Sequence, residues 1–146
     1  CNKISLYHDG SGFKSEANSK TTLAQDVEDM LRTAGWQEFN RTPNTNNPSH
    51  ILKFRLINEI LEENNRSLPF VRLNEDNCPN LIVSMENAAV KQKEDAFEKD
   101  KSSERSTTIP QEHATHLSDC FDYLLWWKYA YLLNNAYHDS FIITTV

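Results

Sequence analysis

No run of apolar residues in this sequence approaches the roughly 20 that a membrane-spanning helix needs. The richest candidate, Phe121 to Leu133, is interrupted by Lys128. The start, CNKISLYHDG, has neither a basic leader nor a long apolar segment, so neither a secretory signal nor a membrane partner is expected. Cysteine is scarce: Cys1, Cys78 and Cys120 are odd in number, widely spaced and without a CxxC pair. That argues against a disulfide framework and a thiolate zinc site, and for reduced thiols in a cytosol. Positive charge is also in short supply. The formal net charge of −6 counts against nonspecific nucleic-acid binding through a broad basic surface, yet it suits a carboxylate-rich metal site. The phosphate-loop signatures GxGxxG and GxxxxGKS/T are both absent.

What remains is ordinary globular material, 38% apolar and 25% charged over 146 residues, enough for one domain spanning 1–146 with a single core. Residue 1 is Cys rather than Met, so the chain is expected to be a piece of a longer protein. KISLYHD (3–9) alternates apolar and polar and runs into a DGSG turn, which predicts a short strand. Leu23, Val27, Met30, Leu31 and Ala34 recur at helical spacing, with Thr21 or Thr22 as cap and Gly35 as terminator. A short strand is expected at 36–42, a loop at 43–49, and a helix at about 50–64 with Leu52, Leu56, Ile57, Ile60 and Leu61 inward. Another strand is expected at 68–74 and a short helix from 78 to 88, with Pro79 in its first turn. Residues 91–108 carry five basic against five acidic side chains and few apolar anchors, which predicts a mobile charged loop. A long aromatic helix follows, and HDSFIITTV (138–146) ends the chain as a last strand or a tail. Alternating elements predict an α/β layered fold with a partly parallel sheet.

Two constellations carry chemistry. In HATHLSDCFDYLLWWKYAYLL (113–133), Leu117, Cys120, Phe121 and Leu124 are expected to face the core. His116, Asp119 and Tyr123 then form a stripe along its edge, at spacings of three and four residues. A histidine and a carboxylate one turn apart can approach one divalent cation, or one can orient the other. The plain alternative is a boundary histidine and a helix-start carboxylate. Asp122 is expected on the opposite flank, at the surface. In YHDGSG, Asp9 closes a strand before small residues that let a backbone or a phosphate approach, although a turn with Asp9 bonding its own backbone explains the same letters. Lys53, Arg55, Lys99 and Lys101 are candidates for DNA-phosphate contacts, with a solvated charged surface as the alternative.

The order of these blocks resembles the C-terminal nuclease domain of tailed-phage terminase large subunits. The shared landmarks are YHDGSG, then AGW (34–36), NP (47–48), LIN (56–58), CPNLI (78–82), EKDKSSER (98–105) and ATHLSDCFDYLL (114–125). They span about residues 4–127. The resemblance implies a ribonuclease H-like fold, a mixed sheet flanked by helices, whose first strands are absent from this chain. It implies a metal-dependent endonuclease that cuts concatemeric double-stranded viral DNA during packaging, in the cytoplasm of the bacterial host. Its partners would be the terminase ATPase domain, the small terminase subunit and the portal protein. Asp9 matches the family's second acid, Asp119 its late helical acid and His116 the histidine one turn earlier. On this resemblance all three are catalytic and metal-binding, around two Mg2+ or Mn2+ ions. The alternative is a catalytically silent module that docks portal, small terminase or its own copies.

Overall fold

In the computed structural model, residues 2–15, 17, 20–41, 47–93 and 96–139 are described. The chain divides into two compact units, Cys1–Asn47 and Pro48–Val146. Helices and strands mix in both, an α/β chain in the broad sense. Among the described residues no helix is long and apolar enough to cross a membrane.

The first unit is one strand–helix–strand crossover. Strand β1 (Lys3–Leu6) pairs in parallel with β2 (Glu38–Arg41), and α1 (Leu23–Thr33) connects them. Thr22 caps α1 by accepting from Gln25 N, while the Gln25 side chain accepts from Thr22 N at 2.8 Å. Two helix-end donors are thereby satisfied reciprocally. Gly35 follows the helix with φ +97°, a left-handed conformation that glycine adopts without penalty. The expected apolar face of α1 is largely open: Leu23, Val27 and Met30 are exposed. Its buried residue is instead Glu28, paired with Arg32 at 2.6 Å, and Arg32 lies over the Phe39 ring.

The second unit holds α2 (His50–Glu62), α3 (Pro79–Glu86), the antiparallel hairpin β3 (Val90–Lys93) and β4 (Ala96–Lys99), and α4 (His116–Asp139). Short 3-10 turns at Ser102–Arg105 and Gln111–His113 connect the hairpin to α4. The core is Leu56, Ile57 and Ile60 of α2 with Leu68 and with Phe121, Leu125 and Leu133 of α4. Leu81 and Met85 of α3 and Trp126 and Tyr129 of α4 pack against it.

The structure corrects several expectations. The segment expected as a charged loop at 91–108 contains the hairpin and a 3-10 turn. Residues 68–74 form no strand; Leu68 is buried and Val71 and Leu73 pack on the core, so the alternation reported burial rather than pairing. Pro69 also has no N–H to give a ladder. Both long helices are rotated from the face their apolar residues suggest. Leu52 and Leu61 are exposed while Lys53 is buried, and on α4 Ser118 is buried while Cys120 and Leu124 are exposed. The last strand or tail expected at 138–146 lies largely outside the described residues, apart from the end of α4.

The rotation of α4 follows from a polar staple. Ser84 of α3, fully buried, donates from Oγ to the Ala114 carbonyl and accepts from Ser118 N at 3.1 Å. Ser118 N–H is one of the first-turn donors that a helix cannot satisfy itself, so α3 supplies the missing acceptor. Ser84→Ala leaves that N–H and the Ala114 carbonyl unpaired in a dry site, and should cost about 2 kcal/mol in denaturant unfolding. A loss below about 0.5 kcal/mol would mean the staple contributes little.

Candidate functional site

The first turns of α4, the end of β4 and the 3-10 turn after it converge on Asp119. Lys99, the last residue of β4, sends its ammonium to Asp119 Oδ1 at 3.0 Å, Asp122 Oδ2 at 2.6 Å and Ser118 Oγ at 3.1 Å. Lys101 donates to the other oxygen of Asp119 and sits 3.5 Å from Glu104 Oε1. Glu104 also accepts from the hydroxyl of Thr115, the residue just before α4. His116 places Nδ1 3.9 Å from Glu104 and Nε2 3.3 Å from Gln111 Oε1, with its side chain half exposed. Asp119 is thus linked to His116 through Lys101 and Glu104.

Burial and charge separate the two aspartates. Burial works to raise Asp119, but the hydrogen bonds and charges of Lys101 and Lys99 outweigh it and hold the carboxyl below its ordinary range. At Asp122 burial wins; Lys99 and Lys53 only partly offset it, and the group is pushed up. Lys53 is buried, with its ammonium 4.0 Å from the centre of the Tyr123 ring. Burial lowers its pKa, and Asp122 and Asp119 compensate only in part. His50 is lowered by burial and by the Lys53 charge. Lys101 is raised, because Asp119 and Glu104 overcome its own desolvation.

The fold gathers some of the expected site residues and separates others. Asp119, Lys99 and Lys101 are brought together, with both lysines ion-paired to carboxylates, Lys99 mostly buried and Lys101 half exposed. Lys53 lies inside the unit, and Arg55 pairs with Glu59 one turn on at 3.1 Å, away from this cluster's partners. Asp122, expected on the opposite flank, shares Lys99 with Asp119, a correction that follows from the rotation of α4. Glu104 is an unforeseen member; its only sign in the sequence was its place in EKDKSSER. Asp9 belongs to the first unit. It caps the 3-10 turn Gly10–Phe13, accepting from Ser11 N at 2.9 Å and from the Ser11 hydroxyl. Around it, Gly10 N donates to Asn47 Oδ1 at 2.6 Å. His8 lies so close to Gly12 that a Cβ there would stand 2.2 Å from its Nδ1.

Asp119 suits a hard divalent cation in donor type and in being held ionised. Among the described residues no group of three or more His, Cys, Asp or Glu is arranged to hold a metal. Magnesium commonly takes one or two protein carboxylates and fills its shell with water and phosphate oxygens, so Asp119 fits in donor type, and it would hold a cation where Lys101 gives up its Oδ2.

The opposed shifts give a pH test. A lowered folded pKa makes Asp119 stabilising above its ordinary value, and that contribution is lost as pH falls below about 4. A raised folded pKa makes Asp122 a cost at neutral pH that protonation relieves. Asp119→Asn should therefore destabilise by about 2 kcal/mol at pH 7, Asp122→Asn by clearly less, and the difference should shrink at pH 3. Unfolding titrations at the two pH values check this; equal losses at pH 7 would contradict it.

Compared with protein-family models, with curated proteins and with solved structures, the chain matches none, so its function has to be read from its own residues and motifs.

Proposed function

We propose that this chain is part of the nuclease domain of a tailed-phage terminase large subunit, ribonuclease H-like in fold, that cleaves concatemeric double-stranded DNA with Mg2+ or Mn2+. The observation that carries the reading is the ionised, half-buried Asp119 one turn after His116, at the meeting point of the KDK segment and α4. Bound divalent cations supply charge neutralisation at the phosphate and an acidified water. Asp119 is the residue of this unit that would hold a cation. His116, exposed beside Glu104, is available to hold or pass a proton. Lys99 is mostly buried and fixes the rotamer of Asp119, whereas Lys101 is half exposed and free to exchange its carboxylate for a phosphate oxygen. The resemblance assigns Asp9 a metal-binding role as well, which its own substitution tests. Portal, small terminase and the ATPase domain are the proposed partners, in the host cytoplasm.

The test is manganese-dependent nicking of supercoiled plasmid by the full natural protein. Asp119→Asn and Asp9→Asn should each reduce nicking by roughly 100-fold or more, and His116→Ala by roughly 10- to 100-fold. Folded Asp119→Asn protein that nicks like the parent would end the assignment. A silent docking module is the second reading, favoured by the exposed Tyr131 of α4 and the exposed Ile51, Leu52 and Phe54 of α2. A parent protein that neither nicks DNA nor binds manganese would select it.

A further inference from the structure

Two cavities of the second unit adjoin beside Asp122 and Lys101, and they differ in character. One, of about 200 Å3, has apolar walls from Phe54, Ile57 and Leu61 of α2 and Met85 of α3, and its polar lining is Asn58 and Asp122 together with His50, Lys53, Lys99 and Ser118. The other, of about 460 Å3, is lined by Lys91, Lys99, Lys101 and Arg105 against Glu98 and Glu104. His50 and Lys99 line both, so the two spaces share part of their walls. Three of these cations are ion-paired, Lys91 with Asp100, Lys99 with Asp119 and Asp122, and Lys101 with Asp119 and Glu104, so the half-exposed Lys101 and the exposed Arg105 are the cations placed to meet an incoming anion. A guanidinium beside an exchangeable ammonium can grip phosphate oxygens by charge-assisted hydrogen bonds without a broad positive field.

The apolar cavity is smaller than the roughly 300–1,000 Å3 that drug-sized ligands fill. It suits a single flat ring. Its Asn58 amide offers both donor and acceptor, which fits a heteroaromatic edge better than a plain hydrocarbon. Phe54 supplies an aromatic wall, and its exposure leaves it reachable from solvent. A ring in one cavity and an anion in the next describe one molecule, a nucleotide. Bases inside a duplex are stacked and cannot enter such a space, so the nucleotide must be unpaired.

We propose that the second unit seats an unpaired nucleotide of a DNA strand, with the base against Phe54 and Asn58 and its phosphate against Lys101 and Arg105. This deepens the nuclease reading and rests on it for the choice of DNA: the strand would pass Asp119 with one nucleotide out of the helix. Lys101 already spans the distance between the carboxylate and the basic cavity. Arg105 is exposed and adds a planar fork suited to phosphate oxygens.

The experiment is fluorescence anisotropy with a labelled single-stranded octanucleotide, the same strand with abasic sites, and a duplex, all with chelator and no divalent cation. The intact strand should bind at least 10-fold tighter than the abasic strand and the duplex. Phe54→Ala should weaken only the intact strand, by roughly 5- to 150-fold. Leu61→Trp, which fills the same cavity from an exposed position, should do likewise. Arg105→Ala should weaken intact and abasic strands alike and lower the salt slope by about 1. Equal binding of intact and abasic strands, or no effect of both cavity variants, overturns the proposal. The assay needs no cleavage. Base-dependent binding without nicking would therefore sink the nuclease reading and keep the seat, and nicking without base dependence would do the reverse.

Discussion

The Lys99 ammonium is the constraint on which the second unit turns. It is shared by Asp119, Asp122 and Ser118, with 14% of its side chain exposed. A charge so withdrawn from water is tolerable only with close partners of opposite sign. Its partners lie on α4 while Lys99 ends a hairpin strand, so the ion pair joins segments some twenty residues apart in sequence. Remove the hairpin, and Asp122 loses its ion-pair partner while Asp119 keeps only Lys101. Remove α4, and β4 ends in a desolvated ammonium. Neither element is sound alone, which is why a segment of nearly pure polar residues becomes ordered structure at all.

The polar staple from α3 does the same for backbone groups. Ser84, Ala114, Thr115 and Ser118 are all nearly inaccessible, and each hydroxyl has a defined partner. The first turn of α4 is thereby held before any apolar contact of Phe121 or Leu125 is counted. A helix start fixed from both sides gives Asp119 a definite direction, and a metal-binding or phosphate-exchanging carboxylate needs that direction more than it needs strength of binding.

This staple also explains what was legible and what was not. Thr22, Gly35, Pro79 and the aromatic helix could be read from local rules, because caps and breakers act within a few residues. Leu56, Ile57 and Ile60 could be read from period alone. The face of α4 could not: a buried serine looks like a surface residue unless its distant partner is known, and Ser84 stands 34 positions away. Choosing Cys120 and Leu124 as inward placed Asp122 on the wrong flank. The hairpin failed for the same reason. Its charges cancel in composition, but three of its lysines have definite partners: Lys91 with Asp100, Lys99 with the aspartates of α4, Lys101 with Asp119 and Glu104. Asp119 and His116, by contrast, stood out because a charged stripe at the start of an aromatic helix has few other uses.

Charge balance gives the cluster a further property on the nuclease reading. Asp119, Asp122 and Glu104 face Lys99, Lys101 and Lys53, three carboxylates against three ammoniums. A cluster already near neutrality offers a dication little net attraction while both ammoniums stay on Asp119. A phosphate against Lys101 and Arg105 would change this, because it would offer the half-exposed Lys101 side chain an alternative anion. Each exchange of Lys101 from carboxylate to phosphate would free one oxygen of Asp119 for a cation. Binding of phosphate and binding of cation then favour each other, and by linkage the coupling is equal in both directions. Lys99 cannot take part on the same terms, since leaving Asp119 would still leave it buried against Asp122. On the nuclease reading the two lysines of the Lys99–Lys101 segment would divide the work: the buried one sets the geometry of Asp119, and the half-exposed one decides when that carboxylate is available.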